Sequence, residues 1–153
     1  MDIEILKKEL IQDEGVKYEV YLDHLGYKTF GIGHLCKATD PENDFEVGQE
    51  VSKERVDECF LADIEQVIED CTILYDEFFT LPDEAQLIIA NMMFNLGRPR
   101  LSKFIRMREN VIKGNWKSAE EEMRNSRWFD QVPNRAERLC ARMGSISVWV
   151  IDF

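Results

Sequence analysis

Apolar residues recur at Ile3, Leu6 and Leu10, with Ile5 flanking the same face. A repeat of three to four residues predicts a helix over 2–13, with Asp2 as its cap. Glu14-Gly15 ends it, because glycine suits the left-handed position just past a helix. The period then shortens to two. Segments 18–22 and 28–32 alternate and are rich in β-formers, and His24-Leu25-Gly26 between them predicts a tight hairpin turn. Gly31 and Gly33 flank Ile32, so backbone there can approach another group closely. Residues 36–51 are polar, broken by Pro41, Asn43 and Gly48, and read as loop. From Ser52 the helical period returns. Val56, Phe60, Ile64, Val67, Cys71, Leu74 and Phe78 predict one long helix over 52–78, for which Ser52 and Arg55 supply only half a capping box. Further helical segments at 83–96, 101–113, 115–124 and 134–142 are separated by Pro82, Gly97-Arg98-Pro99, Gly114 and Val132-Pro133.

This order of elements predicts an α+β fold, mostly helical with one short hairpin early in the chain. The long helix suits a connector. We expect a single domain over 1–153, with a hairpin-containing lobe at 13–60, a connecting helix at 52–78 and a helical lobe made of 1–12 plus 79–153. With 44% apolar and 32% charged residues the composition is globular and not disordered. No apolar stretch reaches the length of a membrane span. The start, Met1-Asp2-Ile3-Glu4, does not read as a secretory signal, so synthesis in the cytoplasm is expected.

Charge adds an asymmetry. The chain carries −11 overall, but residues 1–79 hold 7 Lys/Arg against 21 Asp/Glu, and residues 80–153 hold 12 against 9. No basic stripe interleaves with exposed aromatics, which argues against nucleic acid as a partner. Cys36, Cys59, Cys71 and Cys140 show no CxxC spacing and are expected as free thiols. The acidic run Asp40, Glu42, Asp44, Glu46, Glu50 fails the EF-hand template, with Phe45 and Val51 where glycine and glutamate are required, and is expected to be a solvated loop. No metal or cofactor is expected. Trp116, Trp128 and Trp149 are expected in the core.

Candidate chemistry lies between residues 13 and 34. Cleaving a glycoside needs two carboxyl groups flanking the scissile bond, one protonated and one ionised. Glu14 is expected at a helix C-terminus, where the negative end of the dipole favours the protonated form, as a proton donor requires. Asp23 follows the first strand at a polar hairpin, where a carboxylate stays ionised. Thr29 lies on the returning strand and can offer its hydroxyl to a water.

The run Asp13-Glu14-Gly15, Tyr21-Leu22-Asp23, Gly26-Tyr27, Thr29 and Gly31-Ile32-Gly33-His34 resembles the catalytic segment of the T-even phage lysozyme (endolysin) family, glycoside hydrolase family 24. Asn91-Met92, Phe94-Asn95-Leu96-Gly97 and Ser126-Arg127-Trp128-Phe129, Gln131, Pro133-Asn134-Arg135-Ala136 resemble that family's central helix and C-terminal motif in the same order. The resemblance implies a lysozyme-like fold and a muramidase that cleaves the β-1,4 bond between N-acetylmuramic acid and N-acetylglucosamine in bacterial peptidoglycan, inverting the anomeric carbon and lysing the cell. It implies Glu14 as the acid, Asp23 as the second carboxylate and Thr29 as the holder of the attacking water. It implies sugar contacts at Leu35 and Phe94. By register it adds Met107 and Glu122, which depart from the family's residue types. It also implies that His34 pairs with Asp63. A monomer acting on the wall after release is expected. A lytic transglycosylase, which needs no water-positioning partner, and a retired fold that only binds wall are the competing readings.

Overall fold

In a computed structural model that describes residues 1–147, the chain forms helices and one small sheet. The elements are α1 (Ile3–Glu14), β1 (Lys17–Leu22), β2 (Lys28–Gly31), β3 (His34–Leu35), α2 (Lys53–Leu74), α3 (Asp83–Leu96), α4 (Arg98–Leu101), α5 (Ile105–Lys113), α6 (Trp116–Arg124), α7 (Arg127–Gln131) and α8 (Pro133–Gly144), with single 3-10 turns at Pro41–Asp44 and Phe78–Thr80. The α+β class is as the periodicity predicted. Two compact units divide inside α2, one spanning Ile3–Gln66 and the other taking 67 onward with Met1–Asp2. The helix α1 falls in the first unit, whereas the sequence reading grouped it with the helical segments.

In the first unit the three antiparallel strands run in the order β1-β2-β3. Tyr21 opposes Thr29, and Thr29 opposes Leu35 on its other side. β3 is a two-residue strand between the alternating segment at 28–32 and the loop at 36–51, where the sequence predicts no element. Leu6 and Leu10 of α1, Val20 and Phe30 of the sheet, and Val56, Phe60 and Ile64 of α2 are buried. At Gly31, φ is +65°, and an added Cβ would lie 3.0 Å from the Val56 side chain, so the close approach foreseen at this glycine is against α2. Ser52 Oγ accepts the Arg55 amide at 3.1 Å and caps α2.

The acidic loop is not simply solvated, which corrects the sequence reading. Glu42 is only 5% exposed. Arg55 donates from Nε to Glu42 Oε2 and from Nη2 to Glu42 Oε1, both at 3.0 Å, and from Nη2 to Asp40 Oδ1 at 3.1 Å. The other Asp40 oxygen accepts the Lys37 amide at 2.8 Å and meets His34 Nε2 at 2.8 Å. His34 Nδ1 meets Asp63 Oδ2 at 2.6 Å, so the expected His34–Asp63 pair is present and Asp40 completes a clamp on both ring nitrogens. Buried unpaired charges are costly, which is why carboxylates and cations alternate here.

Burial alone would lower the His34 pKa, but hydrogen bonds and charge from Asp63 and Asp40 outweigh it and hold it above the ordinary value. Burial alone would raise Asp40, but the Lys37 amide, His34 and Arg55 outweigh it and hold it low. The His34 contribution to stability is complete below about pH 6.5 and fades as pH rises through the higher folded value. The Asp40 contribution is complete above about pH 3.9 and fades as pH falls through the lower folded value. The clamp therefore stabilises most between about pH 4 and 6.5. The melting-temperature gap between wild type and His34→Asn should be widest in that window and narrow above neutrality. A gap that is flat from pH 4 to 9 would contradict the clamp.

In the second unit α3 is buried nearly all round, from Ala85 to Met93. Leu101, Met107, Trp116, Met123, Trp128, Leu139 and Met143 complete the core. Trp116 and Trp128 are core residues as expected, whereas Trp149 lies outside the described residues. At Gly144 an added Cβ would overlap the Glu120 carboxylate, so α8 packs against α6 closely enough that a larger residue there would push the Glu120 side chain aside. The helix predicted over 101–113 begins only at Ile105, because Ser102 Oγ donates to the carbonyl of Pro99 at 2.7 Å and Phe104 leaves helical geometry at ψ 58°, and the predicted break at Gly97-Arg98-Pro99 instead opens the short helix α4. α2 ends four residues before Phe78, yet Tyr75 and Phe78 remain buried through the following turn, which is why the apolar period runs on. All four cysteines are free, with Cys59, Cys71 and Cys140 buried and Cys36 half-buried. Burial pushes the Cys71 thiol up to about 12, which makes it unreactive. No helix among the described residues is long and apolar enough to cross a membrane.

Candidate active site

Glu14 is the last residue of α1. Gly15 follows with φ +73°, its amide donating to the Ile11 carbonyl at 2.9 Å, so the chain turns off the helix immediately beyond the carboxylate. The Glu14 side chain is half-buried and packs on Gly33, where an added Cβ would lie 2.5 Å from Glu14 Oε1. Gly33 has φ +57°, a conformation other residues adopt at a cost of roughly 1–2 kcal/mol. The obstacle is the end of a flexible side chain, so Gly33→Ala should fold and displace the carboxylate. We expect roughly tenfold to a hundredfold slower wall lysis with only a modest fall in melting temperature. A lysis rate equal to wild type in a folded Gly33→Ala protein would show that this packing does not matter to the chemistry.

Asp23 sits just past β1, in the hairpin turn. Its Oδ1 accepts the amides of Leu25 at 2.9 Å and Tyr27 at 2.8 Å, so local backbone fixes the carboxylate. The Tyr27 peptide serves both sides of the site, because its carbonyl also accepts the Thr29 hydroxyl at 3.1 Å. Thr29 is buried in the central strand. With its one hydrogen committed to Tyr27, its oxygen presents lone pairs to any water it meets. Leu35, directly opposite Thr29 on β3, is 52% exposed.

Sequence reasoning gave Tyr21 no role beyond its place in the motif. It faces Thr29 across the sheet, and Lys17 Nζ lies 4.2 Å from its ring centroid. Burial, followed by the charges of Glu14 and then Asp23, raises its phenol pKa, so its hydroxyl shares the field of both carboxylates. Its position near the end of β1, two residues before Asp23, was the available signal.

The remaining expected site residues belong to the second unit. Phe94 is half-buried on α3, and the neighbouring Asn95 accepts the Trp128 indole N–H at 2.8 Å. Met107 on α5 is 1% exposed and Glu122 lies on α6, and both line one pocket of about 380 Å³. Arg135 is nearly buried and donates from Nε to Asn91 Oδ1 at 2.8 Å. Among the described residues no group of three or more His, Cys, Asp or Glu side chains is arranged to hold a metal ion.

The phage lysozyme family matches residues 11–142. "Probable T4-type lysozyme 2" of Dictyostelium discoideum is 30% identical over 153 residues, spanning 88% of this chain and 90% of that protein. "Peptidoglycan hydrolase gp36" of Pseudomonas phage phiKMV is 30% identical over 137 residues, which cover 90% of this chain but 15% of that protein. "Pre-baseplate central spike protein Gp5" of Enterobacteria phage T4 is 30% identical over 149 residues, covering 85% of this chain and 26% of that one. With a family match across most of its length, a hairpin that carries Asp23 and Thr29, and Glu14 closing the first helix, the chain belongs to the phage lysozyme family.

Proposed function

We propose that this glycoside hydrolase is an endo-acting muramidase that cleaves the β-1,4 bond between N-acetylmuramic acid and N-acetylglucosamine in bacterial peptidoglycan, with inversion at the anomeric carbon. Glu14 protonates the leaving glycosidic oxygen. Asp23, its Oδ1 held by two amides, keeps Oδ2 for the positive charge that develops on the sugar ring and for the attacking water. Thr29 accepts a hydrogen bond from that water because its own hydrogen is given to Tyr27, and the proton the water loses on attack passes to the ionised Asp23 carboxylate. This water-accepting hydroxyl is the observation that favours hydrolysis by inversion over transglycosylation, which uses no water. Leu35, Phe94, Met107 and Glu122 bind the glycan. No step requires a metal or cofactor. We further propose that the protein works as a monomer, made in the cytoplasm and reaching the wall after release.

The test is proton NMR of a short peptidoglycan oligosaccharide in the first minutes of digestion. The α-anomer of the new reducing end should appear first and mutarotate afterwards. A β-anomer appearing first would overturn inversion. A 1,6-anhydro end would establish the transglycosylase, and no new end at all would leave a binding protein.

A further inference from the structure

The second unit carries a cationic pocket that the hydrolytic chemistry does not use. About 410 Å³ in volume, it is walled by Arg100 of α4, Lys103 of the turn after it and Arg127 of α7. All three are exposed, and none forms an ion pair among the described residues. Three other arginines of this unit do. Arg98 pairs with Asp70 at 3.4 Å, Arg124 with Glu120 at 2.8 Å, and Arg142 with Glu84. Arg100 is held in place by a hydrogen bond from Nη2 to Gln131 Oε1 at 2.8 Å, a neutral partner that leaves its charge uncompensated. The floor is aromatic and fixed, since Phe104 meets Trp128 edge-on at 6.4 Å and Trp128 is tied to Asn95. No carboxylate lines the pocket. In a chain of net charge −11, three uncompensated cations around one cavity stand against the general trend.

We propose that this pocket binds the phosphate groups of an anionic cell-envelope polymer and so anchors the protein on its target surface. Guanidinium forks take phosphate oxygens in pairs, and two of the three cations are arginines. A peptide stem of the wall is the competing ligand. It carries an ammonium group beside its carboxylates, and the lining offers that group no acidic partner. Glu122 lines an adjoining pocket, which shares Lys103, Phe104 and Ser126 with this one. The charge asymmetry gives residues 80–153 an excess of basic side chains. The structure narrows them, because Arg98 is already paired and Arg108 lines a different cavity, beside Tyr75. The site also offsets the long-range repulsion that an acidic protein meets at an anionic surface, which is screened over about 8 Å at 0.15 M salt.

The test reads binding alone, so its outcome is separate from whether the chain hydrolyses glycan. A glycerol-phosphate oligomer is titrated into the full chain at low ionic strength, followed by calorimetry and by amide NMR. Shifts should concentrate in residues 96–104 and 126–131. The double variant Arg100→Gln with Arg127→Gln should weaken binding at least about tenfold. The charge-matched double variant Arg98→Gln with Lys113→Gln should stay within about twofold of wild type. Equal losses in the two variants would reduce the effect to net charge and overturn the site. So would saturable binding of a free tetrapeptide stem with none of the phosphate oligomer, or shifts centred elsewhere.

Discussion

Glu14→Gln is expected to remove wall hydrolysis by at least about 10²–10⁴-fold, the range in which a positioned general acid contributes. The amide keeps the shape that packs on Gly33, so the hairpin and α1 stay as they are. What it lacks is the proton for the leaving oxygen. A glycosidic bond departs as an alkoxide without that proton, and no other group at the site replaces it. Asp23 is held by two amides in its turn, and Thr29 has given its hydrogen to a carbonyl. The measurement is loss of turbidity in permeabilised bacteria, with thermal unfolding recorded beside it. An inactive protein with a melting temperature within a few degrees of wild type is the expected pair of results. Activity within threefold of wild type would remove Glu14 from the mechanism, whatever the family resemblance.

How far the sequence reached depends on whether the signal was local. Gly31 and Gly33 announced close approach by lacking side chains, and the structure supplies the partners, Val56 and Glu14. The hairpin followed from alternation and a glycine turn. The motif gave Asp23, and what it could not give is that the Leu25 and Tyr27 amides converge on a single oxygen. β3 escaped because two residues cannot show a period. The split between α4 and α5 escaped because it needs neither proline nor glycine at the break, only a serine hydroxyl returning to a carbonyl three residues back. The end of α2 was overrun for a different reason. Burial, not helical geometry, is what hydrophobic periodicity reports, and Tyr75 and Phe78 stay buried after the helix has stopped. Glu42 was missed most completely. An acidic residue in a polar loop reads as solvated, and the arginine that permits its burial lies thirteen positions away on another element. The pocket around Arg100 and Arg127 is non-local in the same sense, since 27 residues separate cations that share one wall.

That non-local arginine sets the largest expected effect on stability. Arg55 makes contacts with Glu42, Asp40 and Glu58, and three of its hydrogen bonds go to the two carboxylates the loop turns inward. Its side chain keeps 25% exposure, while that of Glu42 keeps 6%. Arg55→Ala leaves Glu42 buried without its cation and strips Asp40 of one of its partners. Breaking a buried pair from one side costs about 3–5 kcal/mol, and the partial exposure of Arg55 places this case near roughly 3 kcal/mol. For a chain of this size that corresponds to a fall of roughly 6–12 °C in melting temperature. The loss should come from the stranded carboxylates and not from missing packing alone, and two further variants separate these causes. Arg55→Lys keeps the charge but loses the fork that grips both Glu42 oxygens, so it should fall between wild type and alanine. Arg55→Met combined with Glu42→Leu removes both charges together and should recover most of the stability that Arg55→Ala loses. Urea unfolding of the four proteins at pH 7 measures this. A loss below about 1 kcal/mol in Arg55→Ala would place the cluster among ordinary surface ion pairs. A double variant no better than the single one would show that Arg55 contributes through its stem and not through its charge.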